Sequence, residues 1–387
     1  MASRRTSRLV LIVLLWASTA CGRTSDWLGH PERIADGVDY FTSTDSSLID
    51  PPGPIAVFLL RLDPARVSLD SVHANDEIFG LEGVEEIARR HHASAAINGG
   101  FFNVTNGDPQ FVLKEAGELV SDAAVIKGAV IIHSPPQGRT GLEFDQLKAQ
   151  VVLEFTAGGR HWDVPIAGVN TTRARGKLML YTARYHADTD TAPNGTEWVL
   201  TGRPPHVAEV RRDVGHTPIP PNGSVLSYGG IDLPAALRTL QPGVAVDVEV
   251  SWKTLNGVST STLDAADHVI TGAGLLRLNG QIPGNWETDE SLSPEKFLEM
   301  RHPRTLIGVD ARGAIWLAAI DGRQPGYSLG MTFADLERLC DRLHLTDALN
   351  LDGGGSTTMV VRDVIVNRPS DPAGPRRVSD AILVRTR

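Results

Sequence analysis

The chain has 387 residues, of which 41% are hydrophobic and 21% are charged, and its formal net charge is −9. This balance is typical of a folded globular protein and excludes a disordered one. The sequence has no basic run that could follow a nucleic-acid backbone, so we expect no DNA or RNA binding. After residue 16, no segment approaches the roughly 20 apolar residues that a membrane-spanning helix needs.

The N-terminus has the features of an export signal. Positive residues precede an unbroken apolar stretch at 9–16, and small residues follow it up to Cys21. This pattern predicts a signal peptide over residues 1–20. Since it resembles bacterial lipoprotein signals, we also expect a lipid on Cys21, a tether at 21–33, and anchoring at the cell envelope on the periplasmic or outer face. Ordinary secretion with cleavage nearby is the alternative.

The segments that follow alternate in hydrophobicity and are separated by turn residues, which predicts a strand-rich region. A short amphipathic helix is predicted at about residues 83–92. No segment looks like a clean linker, so we predict one domain over residues 34–387. The clearest predicted strands lie at 55–62, 95–97, 129–133, 149–155, 177–181, 198–200 and 244–252.

The last third of the chain predicts a hairpin and then a strand–helix–strand unit. The hairpin strands are 306–310 and 314–320, and a strand at 348–351 follows the helix. Such a unit usually places its two strands parallel in one sheet, so their C-terminal ends, followed by Asp321 and Asp352, should share one edge. The predicted fold class is α+β, with a mixed, largely antiparallel, strand-rich sheet and this unit at the C-terminus.

The helix of this unit contains the second cysteine, Cys340. Apolar residues recur at helical spacing over 332–343, and Thr332 with Asp335 forms the pattern of a capping box. We therefore predict a buried structural thiol rather than a nucleophile. With Cys21 lipidated, no disulfide is expected.

The strongest chemical signal is the run at 350–358, Asn-Leu-Asp-Gly-Gly-Gly-Ser-Thr-Thr. Glycines let the backbone approach a ligand closely, and successive N–H groups can form a nest for an anion. The run is not a P-loop, because no Gly-Lys-Ser/Thr follows, and it lacks the second glycine of a nucleophile elbow. A tight turn is the structural alternative. The predicted ligand-binding residues of this loop are Asn350, Asp352, Gly353, Gly354, Gly355, Ser356 and Thr357.

A second glycine motif, Asn98-Gly99-Gly100, comes directly after a predicted buried strand. Amide groups beside a flexible backbone can hydrogen-bond sugar hydroxyls. We therefore predict that Asn98, Gly99 and Gly100 contribute to substrate binding. A hairpin turn that buries Phe101 and Phe102 is the alternative.

Two arginines, Arg304 and Arg323, lie close in sequence to the first strand-end carboxylate. Their planar guanidinium groups suit phosphate or carboxylate, although a surface ion pair is the alternative for each. No EF-hand loop or His-Glu-x-x-His helix is present, so the sequence requires no cofactor. Whether oxygens of Asp321, Asn350 and Asp352 hold a divalent cation stays an open question.

Together these motifs resemble the phosphodiester glycosidase family. The matching segments are 97–103, 302–310, 321–332, 347–359, 367–371 and 377–381. The resemblance implies a mixed α+β fold and a hydrolase. Its substrate would be a sugar whose anomeric carbon is joined to a phosphodiester, in cell-envelope or exopolysaccharide glycans.

The chemistry of that reaction suggests roles for the motif residues. We hypothesise that the backbone of 353–357 and Arg304 bind the phosphate. Asp352 or Asp321 would then activate water or stabilise the sugar cation. Two other functions stay open: a non-catalytic lipoprotein that binds polysaccharide or sugar phosphates, and a phosphodiesterase that cleaves the P–O bond.

Overall fold

The computed structural model describes residues 27–122, 125–230 and 232–387. The predicted signal peptide and Cys21 lie outside the described residues. The predicted end of the tether is wrong: Trp27 is buried, its carbonyl accepts a hydrogen bond from Ser43 Oγ, and the first strand begins at Glu32. No helix within these ranges combines the length and the apolar character that a bilayer crossing demands.

Strands dominate the described chain, and the helices are short. The strands are β1 (Glu32–Ala35), β2 (Val38–Ser43), β3 (Val57–Leu62), β4 (Val67–His73), β5 (Ala95–Asn98), β6 (Leu113–Glu115), β7 (Glu118–Ser121), β8 (Lys127–His133), β9 (Gly141–Ala157), β10 (Arg160–Ile166), β11 (Gly168–Val169), β12 (Leu178–Thr182), β13 (Gly195–Thr201), β14 (His206–Arg212), β15 (Ser224–Gly229), β16 (Val246–Thr254), β17 (His268–Thr271), β18 (Leu275–Arg277), β19 (Arg304–Asp310), β20 (Ile315–Ile320), β21 (Leu345–Asn350), β22 (Met359–Val361), β23 (Val364–Ile365) and β24 (Asp380–Thr386). The α-helices are α1 (Val84–Arg90), α2 (Ala235–Arg238), α3 (Thr260–Ala265), α4 (Trp286–Asp289) and α5 (Phe333–Leu343). Single 3₁₀ turns lie at Ser46–Leu48, Ala74–Asp76 and Gly354–Ser356, and a π turn at Pro294–Leu298.

Hydrogen bonding arranges these strands in four sheets. The strand orders are β1-β2-β3-β20-β19-β21-β18, then β10-β9-β8-β17-β6-β7 with β16 beside β9, then β11-β12-β15-β13-β14, and last β23-β22-β5-β24-β4. Among the described strands, only β11 and β12 pair in parallel. The strand-rich, largely antiparallel character agrees with the predicted α+β class.

The strand–helix–strand segment consists of β20, α5 and β21. Both strands pair antiparallel with β19, which lies between them, so they run in the same direction. Thr332 and Asp335 form a capping box at the start of α5, and Cys340 is buried, as the sequence predicted. Asp321 directly follows β20, and Asp352 follows β21 by one further residue.

Two loops meet at the junction of the first and fourth sheets. The glycine run leads from β21 in the first sheet to β22 in the fourth. The Asn98-Gly99-Gly100 motif ends β5, which pairs with β22. One hydrophobic cluster joins the two sheets, with Ile307 and Leu349 on one side and Ile97 and Met359 on the other. This shared core fixes the two glycine motifs side by side.

Candidate active site

A cavity of about 320 Å³ opens where the two loops meet, a volume at the lower end for small-molecule sites. Four of its side chains are cationic, and Asp352 is the only carboxylate among its described lining residues. The cavity is therefore electropositive on a protein whose net charge is negative. Its lining residues are Phe101, Lys296, Phe297, His302, Pro303, Arg304, Arg323, Asn350, Asp352, Gly353, Gly354 and Arg376.

Asp352 is held at both ends of its backbone. Its N–H donates to the carbonyl of Gly99 at 3.2 Å, and its carbonyl accepts from Asn98 Nδ2 at 2.7 Å. Its Oδ1 accepts from the N–H of Gly353 at 2.8 Å. Burial raises the pKa of Asp352 to about 6, although contacts with Ser356 and Gly353 act in the opposite direction. A carboxyl group of this kind can exchange a proton near neutral pH.

Asn98 is the residue that joins the two loops. It is fully buried, and its Oδ1 accepts from Thr305 Oγ1 at 2.8 Å and from the N–H of Thr358 at 3.1 Å. Both polar atoms of the side chain are therefore occupied by protein groups. Asn98 does not line the cavity, so its position favours holding Asp352 over contacting a sugar.

The two glycines after Asn98 pack against a buried carboxylate, Asp380. The N–H of Gly99 donates to the backbone carbonyl of Asp380 at 3.0 Å, and the N–H of Gly100 donates to its Oδ2 at 3.1 Å. A side chain at Gly99 would meet the Asp380 carboxylate. Neither glycine lines the cavity, so their role is close packing beneath it.

The glycine run does not form the predicted anion nest. The N–H of Gly353 donates to Asp352, and the N–H of Gly354 donates to Pro303 O at 3.0 Å. Ser356 and Thr357 donate their N–H groups back to the carbonyls of Gly353 and Gly354. For these four residues the prediction was wrong, because the 3₁₀ turn uses the N–H groups of Ser356 and Thr357, while Asp352 and Pro303 accept those of Gly353 and Gly354.

The predicted hydroxyl donors lie below the loop. Ser356 and Thr357 are buried and do not line the cavity. Gly355 has a different function, since its Cα packs against the ion pair of Asp371 and Arg376, whose closest atoms are 2.8 Å apart. The missing side chain at Gly355 therefore lets Arg376 reach the cavity.

Arg304 is a buried cation without a carboxylate partner among the described residues. Its side chain lies between the rings of Phe297 and Phe333, each 5.0 Å away. Nε donates to Met331 O at 3.0 Å and Nη2 to Phe297 O at 2.6 Å. Burial lowers the pKa of Arg304, and Arg323 lowers it further. Nη1 has no hydrogen-bond partner in the described chain, which leaves a donor for an anion in the cavity.

His302 fixes the position of Arg323. Arg323 Nη2 lies 2.9 Å from His302 Nδ1, and His302 Nε2 lies 2.9 Å from the carbonyl of Lys296. Because a guanidinium only donates, Nδ1 accepts and Nε2 carries the proton. Burial lowers the pKa of His302, which favours this neutral form. The Arg323 guanidinium is thereby held over Gly354.

Asp321 lies outside the cavity. Its Oδ1 accepts from Asn367 Nδ2 at 2.8 Å, and its Oδ2 accepts from Tyr327 Oη at 2.9 Å and from the N–H of Arg368 at 2.8 Å. Burial raises its pKa. Asn367 Nδ2 also donates to Thr357 O at 3.0 Å, so Asp321 is linked to the glycine loop through Asn367. This geometry supports a positioning role.

The oxygens proposed for a divalent cation do not assemble around this cavity. Asn350 and Asp352 line it, but Asp321 does not. Asn350 Nδ2 donates to Ala273 O at 2.8 Å, and its buried Oδ1 has no partner within the described ranges. That oxygen is a buried acceptor whose hydrogen-bonding capacity the described protein groups leave unused.

Sequence reasoning missed several cavity residues. His302 lies two residues before Arg304, so the segment that indicates Arg304 as an anion-binding residue could also have indicated His302. Lys296, Phe297 and Arg376 have no local signal, because they come from a π turn and a loop that only the fold brings to this place.

Comparison with known proteins places this site in a family. The sequence model of the phosphodiester glycosidase family matches residues 194–385. The N-acetylglucosamine-1-phosphodiester alpha-N-acetylglucosaminidase of Bos taurus is 32% identical over 104 residues, which are 25% of this chain and 19% of that enzyme. The match thus spans about a fifth of the length of this curated relative.

Two solved structures share the fold. A hypothetical protein from Synechocystis has a TM-score of 0.75 at 24% identity, covering 91% of this chain and 63% of its own. A Burkholderia pseudomallei K96243 protein described as exported has a TM-score of 0.72 at 24% identity, covering 86% of this chain and 74% of its own. These two structures show the fold alone. Because the family model matches them, residues 194–385 carry a phosphodiester glycosidase domain, as the motifs of the sequence predicted, and they contain every lining residue of the cavity except Phe101.

Proposed function

We propose that this chain is a hydrolase that cleaves glycosyl phosphodiesters at the anomeric C–O bond. One observation carries the proposal: four cationic side chains and Asp352, whose pKa is raised to about 6, line one cavity of a phosphodiester glycosidase domain. The cations suit the phosphate, and the carboxylate suits the sugar.

The phosphate would be bound by side chains rather than by the glycine loop. Arg304 Nη1 has a free donor, and Arg323, Lys296 and Arg376 line the same cavity. Negative charge grows on the phosphate as the C–O bond breaks. Fixed cations at that place stabilise the transition state more than the ground state.

Asp352 would act as the general base. The oxygen of water bonds to the anomeric carbon while the C–O bond breaks, and its electron pair leaves with the phosphate monoester. The proton of water passes to Asp352. Because a phosphate monoester leaves readily, this step needs no second carboxylic acid, unlike hydrolysis of an alkyl glycoside. Asp321 would then position the glycine loop through Asn367.

The natural substrate would be a glycan of the cell envelope or an exopolysaccharide. The sequence features at 1–21 support export and lipid anchoring, and one structural neighbour is described as exported. N-acetylglucosamine is the first sugar to test, since the curated relative is named for it.

The test is turnover of N-acetylglucosamine-1-phosphodiester by the purified protein in heavy-oxygen water, with and without chelator. We expect released sugar that carries the label. Label in the phosphate would mean P–O cleavage and would overturn the mechanism. Tight binding without release from any of several sugar-1-phosphodiesters would favour a non-catalytic binding protein. Loss of turnover with chelator would show that a divalent cation takes part.

A further inference from the structure

We propose that two cavities beside the reaction cavity bind successive uncharged sugar units of the same glycan, so that the preferred substrate is an oligosaccharide or polymer. The inference rests on the proposed function and adds the part of the substrate that lies away from the phosphate.

The cavities form a row because neighbouring cavities share wall residues. Phe101 lines the reaction cavity and a narrow crevice, and Pro109 lines that crevice and a second cavity of about 320 Å³. Thr172 lines the second cavity and a third of about 630 Å³. The crevice itself has a volume of only about 10 Å³, too small for a sugar, so a glycan chain would have to pass over it along Phe101 and Pro109 to reach the second cavity and then the third.

The walls of this row are held by backbone hydrogen bonds. The N–H of Gln110 donates to Phe101 O at 2.9 Å, and Phe102 forms a bridge with Pro109. Asp108 is buried, and its Oδ2 accepts from the N–H of Thr172 at 2.9 Å. The segment that borders the reaction cavity is thus fastened to the segment that borders the other two, which makes the row a preformed feature.

Charge differs sharply between the first and second cavities. The reaction cavity is electropositive, whereas the second cavity contains Asp108 and Asp122 and no lysine, arginine or histidine among its described lining residues. Carboxylates only accept hydrogen bonds, so they suit sugar hydroxyls and repel phosphate or uronate groups. The Asp122 carboxylate accepts from the N–H of Val169 at 2.8 Å and also interacts with its own backbone N–H.

The third cavity offers an aromatic face and polar groups of both charges, since two arginines and two aspartates line it, so the selection against anionic sugars rests on the second cavity. Tyr228 is half-buried and lines this cavity, and Asn194 lines it as well. Arg173 is held there by hydrogen bonds to Ser227 Oγ at 3.1 Å and Ala192 O at 2.6 Å. A ring with polar neighbours suits a sugar, whose faces are apolar and whose rim is hydroxylated.

The experiment compares two substrates that carry the same phosphodiester-linked sugar, one with no further sugar and one with a neutral chain of several units. We expect kcat/KM to be at least about tenfold higher for the long substrate, which one or two hydrogen bonds to charged groups can supply. Asp122→Asn keeps an acceptor for Val169 and removes the charge, so it should lower the long-to-short ratio of kcat/KM about five- to tenfold. Tyr228→Ala should lower the same ratio. Lys253→Ala, at an exposed position on β16, should leave it unchanged.

Equal kcat/KM for the two substrates, or an unchanged ratio in both variants, would overturn the proposal. Equal kcat/KM for a substrate with a uronate chain and for the substrate with a neutral chain would overturn the charge argument. Calorimetric binding of the neutral chain without its phosphodiester separates this inference from the proposed function. Binding that Asp122→Asn weakens supports the row of subsites even if no substrate is hydrolysed, and no binding by the wild-type protein contradicts it.

Discussion

The side-chain amide of Asn98 donates a hydrogen bond to the backbone carbonyl of Asp352 at 2.7 Å. The same side chain accepts from Thr305 on β19 and from Thr358 next to β22, so it joins the first and fourth sheets at one point. The position of the Asp352 carboxylate therefore depends on a buried residue outside the cavity.

Asn98→Ala should reduce both stability and turnover. It leaves the Asp352 carbonyl, the Thr305 hydroxyl and the Thr358 N–H without their partner, at about 1–3 kcal/mol for each buried group that stays unpaired. We expect a clear loss in the free energy of unfolding by urea denaturation and a fall in kcat with a smaller change in KM. Asn222→Ala, at an exposed position in the turn before β15, is the control. Wild-type kcat in a folded Asn98→Ala protein would contradict the positioning role.

Activity should depend on the ionisation of Asp352. With a pKa of about 6, the basic form predominates above pH 6 and falls about tenfold for each pH unit well below it. We expect kcat/KM to follow this profile, measured with a substrate whose own charge is constant in the range. Asp352→Asn should lower kcat about 10²- to 10⁴-fold. A flat profile between pH 5 and 7 would exclude Asp352 as the base.

Asp352→Asn should also stabilise the protein at neutral pH. Burial raises the folded-state pKa to about 6, above the roughly 3.9 of an unfolded aspartate. The neutral form is thus favoured by folding, and its contribution is full below pH 3.9 and lost as the pH rises through 6. We expect a higher Tm for Asp352→Asn than for wild type at pH 8 and a small difference at pH 4. A lower Tm for the variant at pH 8 would contradict the burial cost.

The two arginines should differ in their effects. Arg323 is exposed, so Arg323→Ala should raise KM about tenfold or more through one lost charged hydrogen bond, with little change in Tm. Arg304 is buried and holds the carbonyls of Met331 and Phe297, so Arg304→Ala should lower both Tm and kcat/KM. Thermal unfolding and steady-state kinetics distinguish the two. Similar Tm losses in both variants would refute the distinction.

Alanine substitutions at Gly353 and Gly355 should also differ in their effects. A Cβ at Gly353 would lie 2.6 Å from the backbone oxygen of Pro303, so Gly353→Ala forces the backbone to move and should be strongly destabilising. At Gly355 the obstacle is the side-chain pair of Asp371 and Arg376, whose ends can shift. Gly355→Ala should therefore fold with a raised KM. Normal KM in Gly355→Ala would show that Arg376 does not contact the substrate.

Several elements of the fold, and the place of the cavity, could be predicted from the sequence because they depend on local interactions. Helical spacing and the Thr332–Asp335 capping box predicted α5, because a helix depends on residues three and four apart. Two strand-like segments joined by a turn predicted the hairpin of β19 and β20, and a short apolar segment predicted the buried strand that leads into Asn98. The glycine run and Arg304 predicted the place of the cavity, since the strand before the glycine run ends, and the strand that starts with Arg304 begins, at one edge of the first sheet.

The tertiary structure decided how those residues are used. Of the glycine run, the N–H groups of Gly353 and Gly354 bond to Asp352 and Pro303, and those of Ser356 and Thr357 close a 3₁₀ turn. The Asp321 carboxylate accepts hydrogen bonds from partners that include Asn367, 46 residues away. Lys296 and Arg376 enter the cavity from segments without any local signal. A sequence shows which donors and charges exist, but only the pairing of distant strands determines which of them are already occupied and which are left to bind a substrate.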